Sequence, residues 1–300
     1  MSDILQYVIN GLSLGSIYAL IALGYTMVFG VLKLINFAHS EVYMMGAFTG
    51  YFATHAFGLQ NSNSISVLLL ILVVAMAATA FLGYCIERFA YRRLRGAPTI
   101  NLLITAVGVS MLLQFTGQLF FGSDPKFFPQ VYAPEFKITF GETSINSLQI
   151  LVFAIAVILM LILRYIIYST RLGRAMRAVS FNRDYAVILG IPTTKIISST
   201  FMIGSALAGA GGVLVGLIYP KIDPYMGVLP GLKAFAAAVL GGIGNVVGAV
   251  LGAFIIGLAE VGVVAIGRST MRDALAFVVL ILILLFKPTG LLGSSQKEKV

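Results

Sequence analysis

The chain of 300 residues is 59% hydrophobic and only 10% charged, and its mean hydropathy is +0.99; soluble domains carry roughly 25% charged residues, which excludes a water-soluble fold and indicates an integral membrane protein. The net charge of +9 does not argue for nucleic acid, because the basic residues sit in short polar stretches between apolar runs, where membrane topology accounts for them. The one cysteine, Cys85, lies in an apolar run; it excludes a disulfide framework or a cysteine metal cluster and reads as a small buried hydrophobe.

Crossing a bilayer takes roughly 20 mainly apolar residues. Stretches of that kind run over 5–32, 34–57, 65–87, 99–121, 147–168, 196–219, 245–267 and 271–287. They predict an all-α, polytopic helical bundle of about eight transmembrane helices. The first stretch has no basic residue ahead of it, only Asp3, and reads as a retained span and not as a cleaved signal. Gly11, Gly15 and Ala19 repeat along it at four-residue spacing. Small residues so placed let helix backbones approach in lipid, where hydrophobicity no longer drives helices together. The polar segment Asn36-Phe-Ala-His-Ser-Glu41 opens the second span, just after Lys33. Ionisable groups at membrane depth are costly, which leaves two readings of Asn36, His39, Ser40 and Glu41. They line a translocation path or gate, or Glu41 pairs with Lys33 or a neighbouring arginine and fixes packing. Glu87 adjoins Arg88, Arg92, Arg93 and Arg95 and reads as an interfacial ion pair.

The stretch 122–146 sets Asp124, Glu135 and Glu142 against Lys126 and Lys137. Between the fifth and sixth spans lies a basic insert at 171–195. Within it Arg171, Arg174 and Arg177 share one helical face, and Met176, Val179, Ala186 and Leu189 form an apolar stripe. The pattern predicts a short amphipathic helix on the membrane surface, where an external motor can grip it. Ala186 and Gly190 fall together at its end, small residues where a docked surface comes closest, and Gly190 before Pro192 is placed to cap it.

Gly204, Ala208, Gly212 and Gly216 form a second ladder in the sixth span. It echoes the first, each being followed by an irregular segment, as an internal duplication would leave. Three prolines in 219–230 exclude continuous helix there, and Lys221 and Asp223 read as solvated. The apolar piece 231–243 is too short to cross alone and is a candidate re-entrant or broken helix. Gly244, Gly248 and Gly252 make a third ladder. Tight packing within the chain explains the ladders, and contact with a second membrane subunit is compatible with it. Glu260, inside the seventh span, has no partner nearby in sequence; it faces the pathway, pairs with Lys233 or meets a partner subunit.

Most of the 20 basic residues fall in the stretches holding Lys33, Arg88–Arg95, Arg164–Lys195 and Lys287–Lys299. The positive-inside rule assigns these to the cytoplasm and 122–146 to the outside. The N-terminus is then outside and the C-terminus inside, with 231–243 dipping and returning; Arg268 and Arg272 land outside, against the rule. No lysine follows a glycine, so the phosphate cradle G-x-x-x-x-G-K-[ST] is absent. His39 and His55 have no second ligand at metal spacing. Nothing in the sequence supports an enzyme, a metal or a bound cofactor.

Residues 34–46, the insert from Arg174 to Gly190, the segment 231–244 and the closing 288–293 together resemble the LivH-type permeases. Those are membrane subunits of bacterial ATP-binding-cassette importers for branched-chain amino acids. The resemblance implies a single transmembrane permease domain over 1–300 in the bacterial inner membrane, with the N-terminus periplasmic. It implies a second, LivM-like permease, two cytoplasmic LivG/LivF-like ATPases that bind the ATP, and a periplasmic amino-acid-binding protein. It also assigns ATPase coupling to Arg174, Arg177, Asn182, Asp184, Tyr185, Ala186 and Gly190, and leaves Asn36, His39, Ser40, Glu41, Lys233 and Glu260 as candidates for the pathway or gate. Relatives serve urea and other amino acids, so the substrate is less narrowly implied. A proton-coupled secondary transporter using His39, Glu41 and Glu260 is the reading from another class. The coupling signature E-A-A-x-x-x-G here reads Asp184-Tyr185-Ala186, then Gly190, and Ser40 stands where relatives commonly have glycine.

Overall fold

The computed structural model of the chain describes residues 2–132, 137–140 and 143–293. Glu135, Glu142, Lys297 and Lys299, used above to assign sides, lie outside the described residues. The chain winds through α1 (Ser2–Leu32), α2 (His39–Ala56), α3 (Ile65–Ile86), α4 (Thr99–Phe121), α5 (Ser147–Ser169), α6 (Arg171–Phe181), α7 (Arg183–Ile188), α8 (Thr193–Ile218), α9 (Val228–Gly241), α10 (Val246–Ala265) and α11 (Arg272–Phe286). A π-helical turn and a 3₁₀ turn continue α3 through Leu94. Polar caps set several helix starts: Asn146, Thr170 and Asn245 each accept a backbone N–H two or three residues on.

Among the described residues, seven helical stretches are long and apolar enough to cross a bilayer. The eighth expected span, α2, is not one of them, because His39, Ser40, Glu41, Thr49, Thr54 and His55 dilute it. It is enclosed by protein instead: residues 39–44, 46–48 and 50 are buried. Cys85, expected to be buried, is only partly so.

Small residues bring the central helices together. A Cβ on Gly204 of α8 would lie 3.3 Å from the Gly24 Cα of α1, one on Gly257 of α10 only 2.6 Å from the Gly15 Cα, and one on Gly46 of α2 only 2.4 Å from the Gly209 Cα. The ladders therefore pack the chain on itself. Gly244 is an exception, since it stands in a turn at φ +95° and not on α10.

α10 packs along α1 as α3 packs along α8, and α9 packs on α10 as α2 does on α3. Helices α1–α3 and α8–α10 thus share one pairing plan, as an internal duplication leaves. The ends of α1 and α6 meet, where Ser180 hydrogen-bonds the Gly30 carbonyl, so α1 runs toward the face carrying the basic insert. α8 starts from that insert and runs away, which makes the repeat inverted. On the far side two-residue strands β1 (Lys126–Phe127) and β4 (Lys221–Ile222) pair antiparallel, while β2 (Lys137–Phe140) pairs with β3 (Thr143–Asn146). Lys221 is accordingly exposed but in a strand, and Asp223 is not free in a loop, since its carboxylate accepts the Tyr225 N–H at 2.8 Å.

Two helices begin inside the bundle. His39, at the start of α2, sits against Gly24, which lies about 12 Å before the end of α1 at 1.5 Å per residue. Segment 33–38 therefore climbs back up before α2 begins. Segment 219–227 does the equivalent after α8: a Cβ on Gly227 or Gly231 would lie 2.3 Å from an atom of Ser40. The starts of α2 and α9 thus meet at one depth. The far end of α9 reaches the basic face, where Gly242 touches Gly293 and Gly244 approaches Gly30. This corrects the expectation that 231–243 dips and returns: α9 passes through to the side on which α1 ends.

Candidate functional site

The polar opening of α2 is buried throughout, with Asn36 at 2%, His39 at 1%, Ser40 at 8% and Glu41 at 1% exposure. Asn36 Oδ1 accepts the Tyr91 hydroxyl at 2.7 Å. The His39 ring packs edge-on to Tyr25, and its Nε2 has no hydrogen-bond partner among the described residues. Ser40 Oγ donates to the Phe37 carbonyl at 2.8 Å, and Ser40 is helical, a conformation that suits it. The room for its side chain comes from Gly231 across the contact, and Gly227 leaves room for its carbonyl.

Glu41 does not pair with Lys33 or with an arginine. Its Oε1 accepts the Ser110 hydroxyl of α4 at 3.2 Å, and its Oε2 has no partner among the described residues. The Gly227 position faces that free oxygen. What results is a carboxylate at the meeting point of two helix starts, held by hydroxyls and by no cation.

Lys233 and Glu260 lie elsewhere and form a separate cluster. Lys233 pairs with Glu260 and, at 2.6 Å, with Asp273; Arg272 Nε donates to Glu260 at 3.1 Å, and the Tyr18 hydroxyl donates to its other oxygen at 2.8 Å. One network therefore joins α1, α9, α10 and α11. Of the three readings of Glu260, the structure shows the pairing with Lys233. Arg272, against the positive-inside rule, has Glu260 as its counter-charge.

Glu87 is paired as expected and is fully buried: Arg92, Arg95 and the Ser198 hydroxyl all converge on it. It sits in the π-helical turn, a local rewinding of the kind that turns a side chain inward.

The basic insert is two helices, not one. Thr170 caps α6, and a Cβ on Gly173 would meet the Ile167 carbonyl at 2.1 Å, so α6 folds sharply back on the end of α5. Arg171, Arg174 and Arg177 point outward, and Arg177 reaches back to the Ile167 carbonyl at 2.7 Å. Met176 and Val179 are buried as the stripe requires. Asn182 then ends α6 and caps α7, accepting the N–H groups of Asp184 and Tyr185 at 2.9 and 3.0 Å. Gly190, at φ +75°, closes α7 with Gly190 N–H to Val187 O and Ile191 N–H to Ala186 O. Ala186 is 1% exposed against the rest of the chain, so it does not present a small contact outward. Leu189, assigned to the buried stripe, is 77% exposed, since the break at Asn182 resets the helical phase. Phe181, Tyr185, Val187 and Ile188 are exposed beside it.

Ser110, Tyr18, Tyr91, Ser198, Asp273 and Arg272 complete these clusters and were not singled out from sequence, apart from Arg272 as a topological exception. Their partners are far away in the chain, with Tyr18 and Glu260 separated by 242 positions. The Asn182 break did carry a signal, a capping side chain before an acidic first turn.

A polytopic helical bundle with half-length helices meeting inside it is the architecture of a membrane permease. The family described as "Branched-chain amino acid transport system / permease component" matches residues 7–284, and the chain belongs to it. It is 43% identical over 99% of its length to the high-affinity branched-chain amino acid transport system permease protein BraD of Pseudomonas aeruginosa, covering 98% of that protein. It is 40% identical to the permease protein LivH of Escherichia coli K12, over 99% of this chain and 97% of the relative. A probable LivH of Methanocaldococcus jannaschii is 27% identical over 94% of this chain and 90% of its own. No solved structure matches.

Proposed function

We propose that this chain is a transmembrane permease subunit of an ATP-binding-cassette importer for leucine, isoleucine and valine. A second, LivM-like permease completes the pathway, two LivG/LivF-like ATPases drive it, and a periplasmic binding protein delivers the substrate. The chain lies in the bacterial inner membrane with its basic face cytoplasmic, binds no nucleotide and needs no cofactor of its own. The observation that carries this reading is the α6–α7 turn. It is capped at both ends, anchored on α5 and α1, and holds Phe181, Tyr185, Ile188 and Leu189 out in solvent on the basic face. Exposed apolar side chains on a rigid mount are what a docked partner needs.

In this reading ATP closes the ATPase dimer, α6 and α7 move with it, and the helix starts near Glu41 shift between inward- and outward-facing arrangements. Glu41, with one oxygen unpartnered, offers the substrate ammonium a transient acceptor, and apolar neighbours take the side chain. Tight binding is excluded by mass action, since a substrate held strongly in one state is not released. Reconstitution tests the whole. Leucine uptake that requires ATP and added ATPase subunits is expected. Uptake driven by a pH gradient through this chain alone overturns the proposal, and selective uptake of urea or other amino acids revises the substrate.

A further inference from the structure

On the basic face, a cavity of about 310 Å³ opens between the end of α1, the 3₁₀ turn after α3 and the α6–α7 junction. Three cations line it, Lys33, Arg95 and Arg183, against a single acid, Asp184, and Asn182, Tyr91 and Ser180 are its other polar residues. The Arg95 side chain is 93% buried, from an exposure of 7%, and Glu87 and Thr194 take its terminal nitrogens. Its Nε is buried with no partner among the described residues. Burial lowers the Arg95 pKa, and the nearby charges of Arg183 and Arg92 act in the same direction, against Glu87. Lys33 is held at φ +55°, the one described non-glycine residue in left-handed backbone. Neither Lys33 nor Arg183 forms an ion pair among the described residues.

Like charges gathered around a cavity repel one another, and a buried donor without an acceptor is destabilising; one anion with several oxygens relieves both. We infer that this cavity is a binding site for a phosphate-class anion, free phosphate or the headgroup of an anionic lipid. The site bridges the fixed end of α1 and the α6–α7 junction. Occupancy ties Arg183 and Asn182 to Lys33 and Arg95, and so stiffens the mount of α7. That consequence rests on the coupling role proposed above; the anion site itself does not.

Lys33 and Arg183 are exposed and stand outside the Glu87 cluster, so K33Q/R183Q removes two cations without unpairing Glu87. The purified full chain is examined by native mass spectrometry for retained phosphatidylglycerol against phosphatidylcholine. Its thermal unfolding is followed while inorganic phosphate is added, with sodium chloride at matched ionic strength as control. A lipid site appears as selective phosphatidylglycerol retention that falls about thirtyfold in K33Q/R183Q, the effect of two cations beside an anionic headgroup. A soluble-anion site appears as a phosphate-specific rise in unfolding temperature that the double variant loses. Anion binding unchanged in K33Q/R183Q, or no binding of either probe, overturns the proposal. So does a double variant that binds both probes normally but fails to hold the ATPases, which assigns the cavity to an acidic side chain of a partner. Transport is not the readout, so a wrong substrate or orientation leaves this test intact.

Discussion

Gly24 and His39 share a space that admits only one side chain. A Cβ on Gly24 would sit 2.0 Å from His39 Nε2, with both residues in the packed centre where α1, α2 and α8 meet. Gly24→Ala is therefore expected to lower stability by about 1–3 kcal/mol through overpacking. His39→Ala in the same chain should recover much of that loss, because the two changes act on one volume. Thermal unfolding in detergent measures the cycle, and simple additivity would sink the claim. Glu41 and Glu260 make a second contrast at this scale. Glu260 holds Lys233 and Arg272, so Glu260→Gln leaves the buried Lys233 under-compensated and should cost about 3 kcal/mol or more, with less folded protein recovered. Glu41 holds no cation, so Glu41→Gln should leave folding and assembly near normal while uptake falls. If Glu41→Gln instead lowers the folded yield as much as Glu260→Gln does, Glu41 is a packing residue. The sequence marked both acids as expensive but could not separate them, because their partners Ser110 and Tyr18 lie on helices that only folding brings near.

Helix ends were legible because lipid imposes a length. The stretch 99–121 was read to the residue, and 65–87 and 147–168 to within one. Less legible was the phase of the basic insert, where one Asn cap splits a continuous apolar stripe and turns Leu189 outward. Depth was also hidden, since hydropathy along 34–57 cannot tell that the chain climbs back before its helix begins. The split insert makes a sharp prediction about α7. Ile188 is 78% exposed and Ala186 is 1% exposed, two residues apart on one short helix. Ile188→Asp should leave the permease at normal levels and lose co-purification with the ATPases. Ala186→Arg should reduce the permease itself, because the arginine must enter the chain's own packing. Equal ATPase retention in Ile188→Asp and the unaltered protein would remove α7 from the docking surface.

At the scale of the molecule, the passage of α9 decides where the chain ends. Eight full crossings with a returning segment would place both termini on one side, so the expected outside N-terminus and inside C-terminus require a ninth passage, which α9 supplies by passing through. The contacts favour the second arrangement: α9 starts beside Ser40 at mid-depth and ends at the turn that meets Gly30 and Gly293. α11 then begins on the side where β1 pairs with β4, which puts Arg268 and Arg272 opposite the basic insert. The pairing of one such cation, Arg272, with the buried Glu260 explains how the chain tolerates charge there. Single cysteines introduced in a Cys85→Ala background read these sides directly. Ser123, Arg174 and Arg268 are all exposed, so each can be labelled wherever it faces water. An impermeant thiol reagent added to intact cells should label cysteines at 123 and 268 and spare one at 174. Labelling of 268 together with 174, from whichever side, would restore a returning α9 and break the inverted repeat. Labelling of 174 alone would keep the fold and turn the whole molecule over in the membrane.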